Sequence, residues 1–345
     1  MRLVAGLLAL LGALGAMSYD LGFSKGEQPL RTGSATTMLD ERLCAQCHHE
    51  QAEQWAGSRH ALAWTNAIFQ EGFFREPLGI CIHCHAPLSE QKAEILSNLD
   101  WYRDRGPHGS GDALLRTRGP EPLAEQGIGC AVCHVRDGAV LVPEAVPDAP
   151  HPTRVTPELS SDTVCQGCHE FSLHDADFRP TDVPMQSTWS EWRRWVAEGG
   201  TARCQDCHMP ERSHRVRGAH DLDWLAASVQ VELEGGLYTI STVGTGHDLP
   251  TGDLFRHMTL EERRGGTWVE LAWLGRRYAV TTDAAGRPSK RLVSDTALHP
   301  GERRTVQGQG GRWRLQYHFG SAADEALGRL PLEDIVVTLH EGGPG

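Results

Sequence analysis

All ten cysteines of this 345-residue sequence fall into five copies of one pattern. These are Cys44-Ala-Gln-Cys47-His48, Cys81-Ile-His-Cys84-His85, Cys130-Ala-Val-Cys133-His134, Cys165-Gln-Gly-Cys168-His169 and Cys204-Gln-Asp-Cys207-His208. In a chain of this composition one such pentapeptide is expected by chance about 0.015 times. Two thiols one helical turn apart can each add to a vinyl group of haem, and the next residue then sits below the ring, where its imidazole can bind iron. The pattern predicts five covalently attached haem c groups, with His48, His85, His134, His169 and His208 as proximal iron ligands. Disulfides would not require a histidine after every second cysteine. Zinc ribbons use C-x-x-C in pairs, and five is odd. Thioether bonding leaves no thiol for a nucleophile, or for the disulfides that commonly stabilise exported domains.

The sequence holds 18 histidines, so 13 remain as candidates for the opposite axial position. His60 lies in Ser58-Arg59-His60-Ala61-Leu62-Ala63, where small alanines would let a flat ring approach. His214 and His220 closely follow the last motif, and His151 stands between two prolines. His247, in Gly246-His-Asp-Leu-Pro-Thr-Gly252, could reach a haem from the C-terminal part of the chain. Weaker candidates are His174, His108, His49, His83 and Met185, whereas His257, His299, His318 and His340 are expected to be structural or exposed. Each haem also brings two carboxylates. Arginine can pair with these through two hydrogen bonds and stays charged when buried, which suits Arg59, Arg193, Arg194, Arg203, Arg215 and Arg217.

The motifs begin 37, 49, 35 and 39 residues apart, so no strict repeat is present. From Cys44 to His220 there are 177 residues, too few for a separate core around each group. A compact body of that length has a radius of gyration of about 16 Å, so the haems must share one core. Short helices and long loops are expected there. Residues 50–70 read as a helix carrying Trp55, His60 and Trp64. Thr188 and Glu191 read as a capping box that opens a helix with Trp189, Trp192 and Trp195, closed by Gly199. The Pro- and Gly-rich stretch 105–152 is expected to wrap a haem. After about Trp224 cysteine vanishes, and segments such as Leu237-Tyr-Thr-Ile-Ser-Thr-Val alternate apolar with polar residues between Gly-rich turns. Seven or eight such strands predict an antiparallel β-sandwich. The expected fold is thus a multihaem cytochrome c domain, mostly short α-helices and loops, over 40–223, followed by an antiparallel β-sandwich domain over 224–345.

The length fits about two domains. A hydrophobic content of 39% and charged content of 23% suit a packed protein. A net charge of −12 argues against nucleic-acid binding. Arg2 followed by the apolar run Leu3–Met17 predicts a signal peptide over 1–18, with retention as an N-terminal membrane anchor as the alternative. Either implies a periplasmic or extracellular protein.

Trp55-x-x-Ser58-x-His60-Ala61-x-Ala63, Gly127-Ile-Gly-Cys130-x-x-Cys-His134, Cys165-x-x-Cys-His-Glu-Phe171 and Cys204-Gln-Asp-Cys-His-Met-Pro210 resemble the cytochrome c-554-type multihaem family of the hydroxylamine oxidoreductase superfamily. Gly246-His-x-Leu-Pro-Thr-Gly252 is similar to a C-terminal β module attached to such cytochromes. The resemblance covers most of residues 40–260. It implies closely stacked, mainly bis-histidine haems passing electrons in the periplasm, His60 as a distal ligand, and His214 or His220 as another. The expected partners are redox proteins, either other cytochromes or a membrane quinol-linked complex. An acidic surface favours a partner with a basic patch around its cofactor. Two alternatives stand beside an electron carrier. One is an oxidoreductase acting on a small nitrogen or sulfur compound at a haem with an open axial position. In the pentahaem nitrite reductases a lysine replaces the motif histidine of the catalytic haem, and no lysine closely follows any C-x-x-C pair here. The other, compatible with carriage, is a β domain that docks a partner. Pyridine haemochrome quantitation is expected to return five c-type haems per chain, and four or fewer would mean an unoccupied motif.

Overall fold

The computed structural model describes residues 39–75, 79–97, 123–174, 180–282 and 288–344. The leader and His108 lie outside these residues. Among the described residues no helix is long and apolar enough to cross a membrane.

The motif-bearing part is built from short helices. These are α1 (Glu41–Cys44), α2 (His49–Ala56), α3 (Ala67–Arg75), α4 (Gly79–His85), α5 (Ser89–Ser97), α6 (Cys130–His134), α7 (Thr163–His169), α8 (Thr188–Ala197) and α9 (Cys204–His208). Small β elements lie between them. β1 (Val135–Arg136), β2 (Ala139–Val142) and β3 (Thr153–Val155) form one sheet, and β4 (Phe171–His174) pairs with β5 (Pro180–Gln186). Among the described residues its buried apolar side chains form two clusters, one around Trp64, Phe73, Ile82 and Ile95, the other around Leu39, Leu88, Val132 and Val135.

Two helix expectations need correction. The helix expected over 50–70 ends at Ala56, where Gly57 caps it, and Ser58–Thr65 run as successive turns. His60 therefore sits on a turn, and its main chain remains free to bond elsewhere. The Trp-rich helix does start at Thr188 and closes beside Gly199 (φ +109°), but without a capping box. Its N-cap is Ser187, whose hydroxyl donates to Glu191 at 2.7 Å, while the Thr188 hydroxyl bonds that of Thr251 at 2.8 Å. Tertiary partners have taken the Thr188 and Glu191 side chains, the latter accepting from Thr251 and Arg276.

Past helix α10 (Leu222–Ala227) the chain is largely antiparallel strand. It comprises β6 (Val229–Glu234), β7 (Leu237–Thr242), β8 (His257–Arg264), β9 (Thr267–Thr282), β10 (Pro288–Asp295), β11 (Arg303–Gln307), β12 (Trp313–His318) and β13 (Val336–Gly342). One sheet has the order β10-β9-β8-β12-β13 and the other β11-β7-β6. Alternation buries one face of each: Tyr238 and Ile240 from β7 share a core with Met258 and Leu260 from β8 and with Trp313, Leu315 and Tyr317 from β12. Leu315 lies opposite Leu260, and Tyr317 opposite Met258. Each such buried side chain contributes about 2 kcal/mol by leaving water.

One charge lies inside this core. Glu262 is 0% exposed. Its carboxylate accepts from the Tyr238 hydroxyl at 2.8 Å, Arg264 Nε at 2.8 Å, and the amides of Gln309 and Gly311 at 2.9 and 3.0 Å. Burial opposes ionisation, but these donors outweigh it and hold the carboxyl at about 2, below its ordinary 4.5. The group therefore stabilises the fold above about pH 4.5, and that contribution fades as pH falls through about 2. Glu262→Gln is expected to cost at least ~2 kcal/mol in neutral denaturant titrations and to flatten the acid limb between those pH values.

Candidate functional site: five cysteine–histidine turns in one body

Each C-x-x-C-H segment forms one helical turn or lies at its end. Residues i, i+3 and i+4 share a helix face, so both thiols and the imidazole of a motif point the same way. Arg136 closes the α6 turn by donating to the carbonyls of Ala131, Val132 and Val135. Its place right after the third motif was the only sequence signal for this role.

The five turns are contiguous. The Cys44 and Cys130 thiols lie within electrostatic reach of each other, as do those of Cys165 and Cys204. Cys133 lies within electrostatic reach of Cys165 and Cys168, and burial raises its thiol to about 11. Helix α1 lies against α6, and α4 against α7. The fourth and fifth motifs are tied by the Cys204 amide donating to Asp162 at 2.8 Å and by Gln205 donating to the Ser161 carbonyl at 2.8 Å.

Three motif imidazoles face a second imidazole. His48 meets His151 with ring centroids 6.5 Å apart, His134 meets His214 at 6.2 Å, and His208 meets His247 at 6.1 Å. These gaps are wider than those of Phe69 on His85 at 3.6 Å or His220 on Phe319 at 4.1 Å. An imidazole–metal bond of about 2 Å on each side, plus half a ring each, places two centroids about 6 Å apart. The tautomers agree. His85 Nδ1 donates to the Ala63 carbonyl at 2.6 Å, His134 Nδ1 to Leu141 at 3.2 Å, His208 Nδ1 to Arg217 at 2.5 Å and His247 Nδ1 to Asp248 at 3.0 Å. A carbonyl can only accept, so Nδ1 carries the proton and Nε2 keeps a lone pair. Burial lowers His85 and His169 to about 4, which keeps both neutral. This chemistry fits axial ligation of a haem iron.

The other predicted ligands are placed differently. His60 lies within electrostatic reach of His169 and His208. Its carbonyl accepts from the Ile128 amide at 2.9 Å, while Trp55 Nε1 donates to the Ile128 carbonyl at 2.7 Å. His220 stacks on Phe319 at 4.1 Å, beside Arg59 and Arg256, and faces no motif imidazole in this way. Phe69 stacks on His85 at 3.6 Å. Several arginines expected to pair with haem carboxylates have protein partners: Arg194 with Asp248, Arg203 with Asp206 and Arg217 with Asp221. Arg193 lies over the Trp189 ring. Arg256, within electrostatic reach of Tyr317 and His220, carries no motif that would single it out.

In the β region His257, His318 and Glu325 bring ligand atoms within 4.8 Å of one another. Both nitrogens of His318 are already engaged, by Thr259 and Glu325, and its ring stacks on His257 at 4.1 Å, so these are packing residues.

No protein-family model matches the chain, and no curated protein matches it. Among solved structures it is similar to a penta-heme cytochrome c552 from Thermochromatium tepidum, 20% identical, with a TM-score of 0.61 over 88% of this chain and 98% of that one. The chain therefore shares the fold of a multihaem cytochrome c.

The Gly127 turn grips the His60 segment. A Cβ at Gly127 (φ +56°) would stand 2.6 Å from the His60 carbonyl and 2.9 Å from that of Ala61. Gly127→Ala is expected to cost about 1–3 kcal/mol in thermal or denaturant unfolding, through both left-handed strain and this clash.

Proposed function

We propose that this chain is an exported penta-haem c-type cytochrome that relays electrons between redox partners in the periplasm. The observation that carries the proposal is the set of three imidazole pairs 6.1–6.5 Å apart, each formed by one motif histidine and one distant histidine. The ten motif cysteines would hold five haems through thioether bonds, with His48, His85, His134, His169 and His208 as proximal ligands. His151, His214 and His247 would be the opposite ligands at the first, third and fifth motifs. His60, near His169, is the candidate for the fourth. A c-type haem bound between two imidazoles supplies an iron that changes oxidation state with little rearrangement. Burial holds His85 and His169 neutral, and Nδ1–carbonyl bonds aim His85, His134, His208 and His247. Contacts joining the first motif to the third, the second and third to the fourth, and the fourth to the fifth keep the sites within one body, as relay requires. The two sheets are read as a β-sandwich module that closes the fifth site through His247. An acidic chain favours a partner presenting basic residues around its own cofactor.

A second reading, an oxidoreductase for a small nitrogen or sulfur compound, is favoured by one observation. Arg59 and Arg256 lie within electrostatic reach of each other beside His220, and among the described residues neither is in an ion pair. Two guanidiniums so placed would attract an anion. In that case His220 would stand beside substrate rather than on iron.

A census of ferric spin states by magnetic resonance separates the two. All low-spin haems, with negligible turnover of nitrite or hydroxylamine, is the expected result. One high-spin haem with fast turnover would make the protein an enzyme. His214→Ala and His60→Ala are each expected to convert one haem toward high spin while all five remain attached.

A further inference from the structure

His247 sits between β7 and β8, in a segment with no helix or strand of its own. Holding a side chain still in such a segment costs conformational entropy, so its position must come from neighbours. Helix α8 touches the segment on both sides of His247. Before it, Trp195 lies against Gly246, where an added Cβ would come within 3.2 Å of the indole. After it, Arg194 Nη2 donates to both oxygens of the largely buried Asp248 carboxylate, at 2.5 and 2.7 Å. His299 bridges from Asp248, at 2.9 Å, back to Glu198 just past the end of α8, at 2.6 Å. Further along, the Thr251 hydroxyl donates to Glu191 at 2.5 Å.

The same helix sets the other side of the fifth site. Trp192 Nε1 donates to the Ala202 carbonyl at 2.9 Å, and Trp195 packs over Gly200, which leads directly into the motif that carries His208. Both imidazoles of the pair are thus referenced to one ten-residue helix.

We propose that Arg194 and Asp248 are positioning residues for the fifth site: their ion pair, anchored on α8, sets His247 opposite His208. Neither touches the imidazole nitrogen that would bind iron. They act through the main chain on which His247 is carried. The proposal rests on the assignment of His247 as an iron ligand made in the preceding subsection.

The test uses the full, haem-loaded chain. Its readouts are carbon monoxide uptake by the reduced protein and the ferric spin state. His247→Ala is expected to open about one additional haem equivalent per chain to carbon monoxide. Arg194→Ala is expected to open more than half as much, and Arg194→Lys, which keeps the charge, to return uptake toward wild type. Asp248→Asn keeps the shape and decides the matter if Arg194→Ala does not fold. It is expected to raise uptake and high-spin signal together. Arg303→Ala, which removes an exposed β-region ion pair with Glu232, serves as the control and is expected to change neither. Wild-type uptake and spin state in a folded Arg194→Ala or Asp248→Asn chain would overturn the positioning role while leaving His247 as ligand. Unchanged uptake in His247→Ala would overturn the ligand assignment and the positioning role with it.

Discussion

An imidazole can bind a metal only with a nitrogen that has no proton, and a buried imidazole left to itself does not choose which nitrogen that is. In this protein the choice is made by the backbone. The carbonyls of Ala63, Leu141, Arg217 and Asp248 each accept a hydrogen bond from a histidine Nδ1–H, which keeps the proton on Nδ1 and leaves Nε2 bare. The segments carrying these carbonyls, three loops and strand β2, are therefore part of the candidate site. Their shape is in turn fixed by contacts such as the Arg217–Asp221 ion pair at 2.7 Å and the strand pairing of β2 with β1 and β3.

A buried ion pair crosses the seam between the motif-bearing part and the sheets, beside apolar contacts such as Ile68 on the sheet core. Glu191 and Arg276 form an ion pair at 2.8 Å with both side chains only 5% exposed. Burial raises the Glu191 carboxyl, and the hydroxyls of Thr251 and Ser187, with Arg276, work against that rise. Desolvating two charges can cost as much as their attraction returns, so a pair of this kind is poor glue by itself. Its value lies in direction. A buried charge tolerates few alternative partners, whereas apolar surfaces slide, and here Glu191, Ser187, Thr251 and Arg276 admit one register of helix against sheet.

Much of the candidate chemistry was legible in the sequence because the C-x-x-C-H pattern is a rigid local spacing. Five motifs, five helical turns and the change of texture near Trp224 follow from short-range pattern alone. The partners of the motif histidines are a different matter. His151 precedes the fourth motif yet faces the histidine of the first, and His214 faces that of the third. Nothing local to either residue encodes such a crossing. The helix expected through His60 failed for a local reason: the Gly57-Ser58 pair ends α2 and frees the His60 carbonyl for Ile128. His220 has the right neighbours in sequence, but the sheet brings Phe319 onto its ring, and only the folded β12 region could reveal that.

The fifth motif histidine meets its opposite number across 39 residues of chain and a boundary between two architectures. That separation gives assembly a direction in time. A polypeptide emerging from its N-terminus completes the fifth motif while the facing imidazole is still to come. With His247 as the proposed ligand, the last station of the series would stay one-sided until the sheets have formed and settled against the Trp-rich helix. The β region would then act as a seal on maturation, and a chain that stalls before folding it would carry one coordination site open to whatever small molecules surround it.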